Sequence, residues 1–209
     1  KGLFAIMTKA ALKEYENSNF KAIINLSASM APTYGYLKMG WSSIAYHSNR
    51  KKYSFKGIIN HIAKRNIDIK FNNNIFIKEN GYLEMSYKPY PKLIYLLRNN
   101  VISSNKKLIL FEDINFLKWR FKNPRWNYMF YYYWKNKKLE SYVVFGIKKN
   151  SNITHILDYS YSNISSLNEI LQFAIQKKHF DILSIWDVNL ENKMDNLLKR
   201  LGFGINIID

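Results

Sequence analysis

Apolar residues return at three- and four-residue steps through Leu3, Ile6, Met7, Ala10 and Ala11, which predicts a helix from Leu3 to Tyr15. Asn17-Ser18-Asn19 breaks that pattern, and Phe20 to Leu26 (FKAIINL) reads as a short buried strand. Ser27 to Pro32 is loop-like. Tyr34 to Met39 predicts one or two helical turns stopped at Gly40, and Trp41 to Tyr46 a further strand. The polar, basic stretch His47 to Lys51 marks a boundary. Beyond it the pattern weakens: Tyr53 to Ile67 holds a helix with Ile58, Ile59, Ile62 and Ala63 on one side, Asn72-Asn73-Asn74 a turn, and Leu93 to Leu97 a helix beside Pro89 and Pro91.

The last half is regular. Asp113 to Lys122 predicts a helix with Asp113 at its N-cap, ended by Asn123-Pro124. Asn127 to Trp134 is a β-prone aromatic run, Asn136-Lys137-Lys138 a hairpin turn, and Ser141 to Ile147 and Ile153 to Tyr159 two more strands. Ser166 to Gln176 is a helix with Leu167, Ile170, Leu171 and Ala174 on one face. Phe180 to Val188 is a strand, Met194 to Leu201 a helix and Phe203 to Ile208 a final strand. Helix, meander, helix, strand, helix, strand predicts an α/β fold with a mixed sheet.

Composition narrows the functional classes. A length of 209 residues and a hydrophobic share of 47% suit one or two globular domains with a real core. There is no cysteine, hence no disulfide, no thiolate nucleophile and no cysteine zinc site. His47, His61, His155 and His179 lack metal-ligand spacing, so no metal is expected. No apolar run reaches the roughly 18 residues of a membrane span. The opening apolar stretch is broken by Lys9, Lys13 and Glu14, unlike a signal peptide, and the expected location is the cytoplasm. The net charge of +17 would attract polyanions, yet lysine far outnumbers arginine and asparagine and isoleucine abound, a bias that AT-rich coding imposes whatever the protein does.

Two segments end alike: Tyr36-Leu37-Lys38-Met39-Gly40-Trp41 and Leu198-Lys199-Arg200-Leu201-Gly202-Phe203. Both resemble the Y-x-K-L-G-F signature of the GCN5-related (GNAT) acyl-CoA N-acyltransferases. Lys1-Gly2-Leu3-Phe4, followed by a helix, resembles the tail of that family's Q/R-x-x-G-x-G/A phosphate loop. The resemblance implies a mixed-sheet acyl-CoA N-acyltransferase fold in three parts. Residues 1–49 would be the C-terminal part of a catalytic lobe, 50–105 a connecting segment, and 106–209 a second, degenerate lobe. The family's front strands have no counterpart before Lys1, so the resemblance also implies a first lobe truncated at its N-terminus. The edge of the Phe20 strand would then be unpaired, and self-association is expected.

The resemblance assigns roles. Acetyl-CoA would be the co-substrate, its pyrophosphate held by the backbone of Gly2, Leu3 and Phe4 at a helix N-terminus. Asn25 and Ser29 would bond the pantetheine arm. Tyr36 takes the family's tyrosine position, where a phenol protonates the departing thiolate, with Tyr34 as fallback. Leu198 stands at the equivalent place in the second lobe and can donate nothing. Ser160 to Glu169 has no glycine to let phosphate approach the backbone. The second lobe would therefore wall the acceptor site, with Trp119, Arg120 and Tyr128 as candidate lining. No general base is identified.

The expectation is direct transfer of an acyl group, acetyl by default, to a primary amine of a small molecule or sugar. Without cysteine there is no thiol to carry an acyl intermediate. Two alternatives stand beside it: a basic, aromatic-rich nucleic-acid-binding module, and a GNAT-like scaffold without activity. No helix-turn-helix, zinc-finger or RNP signature supports the first.

Overall fold

The computed structural model describes residues 2–15, 30–42, 48–54, 74–78, 81–102, 113–149, 151–177, 180–187 and 191–206. The chain divides into two compact units, Lys1–Ala45 and Tyr46–Asp209. In the first, α1 spans Leu3–Tyr15 and α2 spans Met30–Lys38. The periodicity of α1 is as predicted, but its apolar row faces outward: Leu3 is 71%, Ile6 56% and Met7 62% exposed.

The second unit is a mixed α/β structure. Its strands are β1 (Ser48–Tyr53), β2 (Asn74–Lys78), β3 (Gly81–Ser86), β4 (Trp126–Lys135), β5 (Lys138–Lys148), β6 (Ile153–Tyr161), β7 (Ile182–Asp187) and β8 (Gly204–Asn206). Its helices are α3 (Pro91–Ile102), α4 (Ile114–Arg120), α5 (Ile164–Gln176) and α6 (Asn192–Arg200). The eight strands form one sheet in the order β2-β3-β4-β5-β6-β7-β1-β8. All neighbours are antiparallel except β6 and β7, which run parallel and are joined through α5.

Alternation along the strands divides the core between the two faces of the sheet. Met129, Tyr131 and Tyr133 of β4, with Val143 and Phe145 of β5, pack against Leu167, Ile170 and Leu171 of α5 and Leu197 and Leu198 of α6. Phe130 and Tyr132, with Tyr142 and Val144, face Ile94 and Leu97 of α3 and Leu117 and Phe121 of α4. Burial pushes the Tyr131 and Tyr132 phenols well above the usual tyrosine range, so both stay neutral in the core.

Local signals set the element ends. The Asp113 carboxylate accepts from the Phe116 amide at 2.6 Å, capping α4 as predicted. The β4–β5 hairpin turns through Asn136 and Lys137 at φ 50° and 62°, the left-handed pair of a two-residue turn.

Several sequence expectations differ from the structure; the loop read over Ser27 to Pro32, for one, runs into helix, since α2 begins at Met30. Residues 50–105, read as a connector, supply most of β1 and all of β2, β3 and α3. The boundary read at His47 to Lys51 falls close to the division between the two units after Ala45, but the stretch itself is largely strand: β1 lies inside the sheet, antiparallel to β7 on one side and β8 on the other. Two of its cations find partners at α6 and its C-cap. Arg50, 4% exposed, forms an ion pair with Asp195, and Lys52 Nζ donates to the Leu201 carbonyl at 2.6 Å, at the negative end of the helix dipole. Trp41 and Ser42, the described part of the strand read over Trp41 to Tyr46, lie outside any strand. The strand read over Phe20 to Leu26 lies outside the described residues, as does most of the helix read over Tyr53 to Ile67.

Candidate functional site

The front unit holds the residues that the resemblance assigns to coenzyme and catalysis. Gly2 stands one residue before α1, and its carbonyl accepts from the amides of Ala5 at 3.0 Å and Ile6 at 3.4 Å. An added Cβ at Gly2 would meet nothing within 4 Å, so the backbone there is open to approach. The amides of Leu3 and Phe4 belong to the first turn, where a helix has no acceptor of its own to offer. Asn25 and Ser29 lie outside the described residues.

Tyr36 sits near the end of α2, half-buried, its ring 4.7 Å from that of Trp41. Its carbonyl accepts from the Trp41 amide at 3.1 Å, and Gly40 takes φ 90° to allow that bond. The second copy of the motif closes identically. The Phe203 amide donates to the Leu198 carbonyl at 3.0 Å across Gly202 at φ 80°. Both are helix ends of the Schellman type, with glycine at the left-handed position. Leu198 is fully buried where Tyr36 is half-buried.

In the second unit the irregular place is the line between β6 and β7. They pair from Ile153–Ile182 to Ile156–Ile185, and the pairing then stops although β6 runs on to Tyr161 and β7 to Asp187. At the parting β6 carries a bulge: Ile156 and Asp158 pair with adjacent residues of β5 and Leu157 is the extra residue. Parted parallel strands expose backbone groups that a ligand can pair with. Here a side chain of the chain itself takes one of them. Arg120 Nη2 donates to the Leu157 carbonyl at 3.1 Å. Arg98 forms an ion pair with buried Asp158 at 3.1 Å, so that carboxylate is engaged with a cation.

The helix after the parting is capped internally. Asn163 Oδ1 accepts from the Ser165 amide at 3.0 Å, and its carbonyl accepts from the Ser166 amide and hydroxyl at 3.1 and 2.6 Å. At the end of β6 the Tyr161 hydroxyl donates to Glu191 Oε2 at 3.1 Å. Burial first, then the Glu191 charge, pushes that phenol up to about 12. Of the other residues read as acceptor lining, Tyr128 donates its hydroxyl to the Arg120 carbonyl at 3.1 Å, and Trp119 turns outward, 70% exposed. Sequence reasoning missed the Arg120–Leu157 and Arg98–Asp158 pairings. An arginine on a helix gives no local sign of a bulge that lies far along the chain.

His155 of β6 lies edge-on to Trp126, ring centroids 5.5 Å apart. Burial, then the charges of Lys148 and Lys51, hold its imidazole below the ordinary histidine value. Among the described residues no three His, Asp or Glu side chains gather into a metal-ligand group. No described helix is long and apolar enough to cross a membrane, which leaves membrane-spanning strands unaddressed.

The fold defines a mixed α/β protein with helices on both faces of one sheet. No protein-family model matches the chain, and no curated protein matches it. Among solved structures, it is similar to a functionally unknown conserved protein from Staphylococcus epidermidis ATCC 12228, at 11% identity and a TM-score of 0.47 over 96% of this chain and 74% of that one.

Proposed function

We propose that the chain is an acyl-CoA-dependent N-acyltransferase that moves an acyl group, acetyl by default, directly to a primary amine of a small molecule or sugar. The observation that carries this reading is the pair of helix ends at Tyr36–Trp41 and Leu198–Phe203, alike in hydrogen bond and glycine conformation. They set a phenol in the front unit at the position that leucine fills in the second. The amides of Leu3 and Phe4 would receive the coenzyme pyrophosphate, and the open surface at Gly2 leaves the backbone approachable. Tyr36 would protonate the departing thiolate as the amine attacks the thioester carbon.

In this reading the second unit would hold no coenzyme of its own. Its parted strands are occupied by Arg120, its helix N-terminus by Asn163, and its tyrosine position by Leu198. The same occupancy favours, as a second reading, a GNAT-like scaffold in which neither unit turns over.

Calorimetric titration with acetyl-CoA separates the two. The enzyme reading expects one coenzyme per chain, transfer to members of an amine panel, and a Tyr36→Phe variant with kcat lowered at least tenfold and KM little changed. Absence of coenzyme binding would favour the scaffold; undiminished turnover in Tyr36→Phe would remove the acid role.

A further inference from the structure

Two indoles and four cations gather where α4 runs into β4. Trp119, 70% exposed, is the last residue but one of α4, and the amide of Lys122 turns back to its carbonyl at 3.0 Å. A second turn, from the Trp126 amide to the Asn123 carbonyl at 3.2 Å, brings Arg125 and Trp126 to the start of β4. There Trp126 pairs in register with Lys148, the last residue of β5, whose ammonium lies over the indole 5.2 Å from the ring centroid. Lys149 follows. Lys122, Arg125, Lys148 and Lys149 are all exposed.

Coding bias explains scattered lysines but does not explain this cluster. Tryptophan numbers five in the whole chain, and two of the five fall within the eight residues from Trp119 to Trp126. A large apolar ring held 70% in water by its own helix is costly unless a partner covers it. Phe116 braces the Trp119 ring from one side, 5.6 Å between centroids, which limits its motion and leaves another side open. An exposed flat ring on a segment that also carries Lys122 and Arg125, with Lys148 and Lys149 on the strand end beside Trp126, suits a chain of phosphates carrying flat bases: stacking on the indole needs no particular base, and the cations follow the backbone. A lipid surface would use the charge, but a single protruding indole offers it little apolar area to bury.

From this we infer that the end of the sheet formed by 119–126 and 148–149 is a binding surface for single-stranded nucleic acid, with Trp119 as the stacking platform. The inference is independent of the acyltransferase reading and shares with it only Trp119, read from the sequence as candidate acceptor lining.

The test is fluorescence anisotropy of a labelled oligothymidylate titrated with the full chain from about 50 to 300 mM salt. Each phosphate neutralised on a single strand contributes a slope of about −0.7 in log K against log salt, so four cations give about −2.8. Trp119→Ala is expected to weaken binding about tenfold through lost stacking. Lys122→Gln with Arg125→Gln is expected to make the slope shallower by about 1.4. All three positions are exposed, so unchanged melting temperatures are expected and would tie the losses to the surface. The inference is overturned if the oligonucleotide does not bind at the lowest salt, or if the variants keep the parent affinity and slope. Binding to phosphatidylserine vesicles without binding to the oligonucleotide would likewise overturn it and make the surface a membrane contact.

Discussion

Arg120 donates from Nη2 to the carbonyl of Leu157 at 3.1 Å, at the point where β6 leaves β7. Leu157 is the extra residue of the bulge and lies beyond the last pair of β6 with β7, so it has no register partner on either neighbouring strand. A half-buried carbonyl without a donor is destabilising, and the guanidinium of α4 supplies one. One hydrogen bond therefore both pins α4 to the sheet and occupies the backbone that parted parallel strands would present to a ligand.

Arg120→Ala is expected to cost about 1.5–3 kcal/mol, the worth of a charged hydrogen bond, and to lower the melting temperature by several degrees. Coenzyme affinity, placed in the front unit, should stay as it was. An unchanged melt would show that water or a neighbour replaces the guanidinium at no cost.

Arg50 and Asp195 should respond unequally to substitution. Asp195→Ala strands a 4% exposed guanidinium and is expected to cost about 3–5 kcal/mol. Arg50→Met leaves Asp195 with Lys199 at 2.7 Å, in a setting open to water, and should cost clearly less. Denaturant melts of both variants decide it; equal losses would mean that the pair, and not the buried charge, sets the cost.

The two glycine helix ends permit a paired comparison. Alanine at either meets left-handed backbone, worth about 1–2 kcal/mol. At Gly202 the new methyl would also lie 2.9 Å from Lys52 Nζ and would disturb its bond to the Leu201 carbonyl, whereas at Gly40 nothing lies within 4 Å. Gly202→Ala should be the more destabilising of the two in chemical denaturation. The reverse order would argue that the Lys52 bond contributes nothing.

His155 gives a pH dependence with a definite sign. Its folded value lies below the ordinary 6.5, so the unfolded chain takes up the proton first as pH falls. Its contribution to stability is full above that ordinary value and is lost as pH drops toward the folded one. Melting temperatures of the parent should fall between about pH 7.5 and 5.5 more than those of His155→Gln. Parallel curves would mean that the imidazole titrates as it does in water.

Much of the second unit was legible because its signals are local. Asp113 caps α4, Asn136-Lys137 turns the β4–β5 hairpin, and the apolar stripe of α5 contains Leu167, Ile170, Leu171 and Ala174, each read from the chain and each found in that role. Proline at the first position of α3 marks its start, although the predicted helix began two residues late. Strands β2 and β3 went unread. Of the candidate site, the sequence exposed the repeated Gly-aromatic helix end and left the groups occupying the β6–β7 parting hidden.

What the sequence determined by itself is each helix, hairpin and cap whose hydrogen bonds close within a few residues, because the energy that selects them is spent locally. What only the tertiary structure decided is where Ser48–Tyr53 lies. A run of Asn, Arg and Lys has no apolar period and reads as a boundary, yet it fills the slot between β7 and β8. Arg50 pairs with Asp195, and Lys52 with a helix-end carbonyl 149 residues away in sequence. A charge can enter a sheet when such partners wait there, and no window of neighbouring residues records that they do.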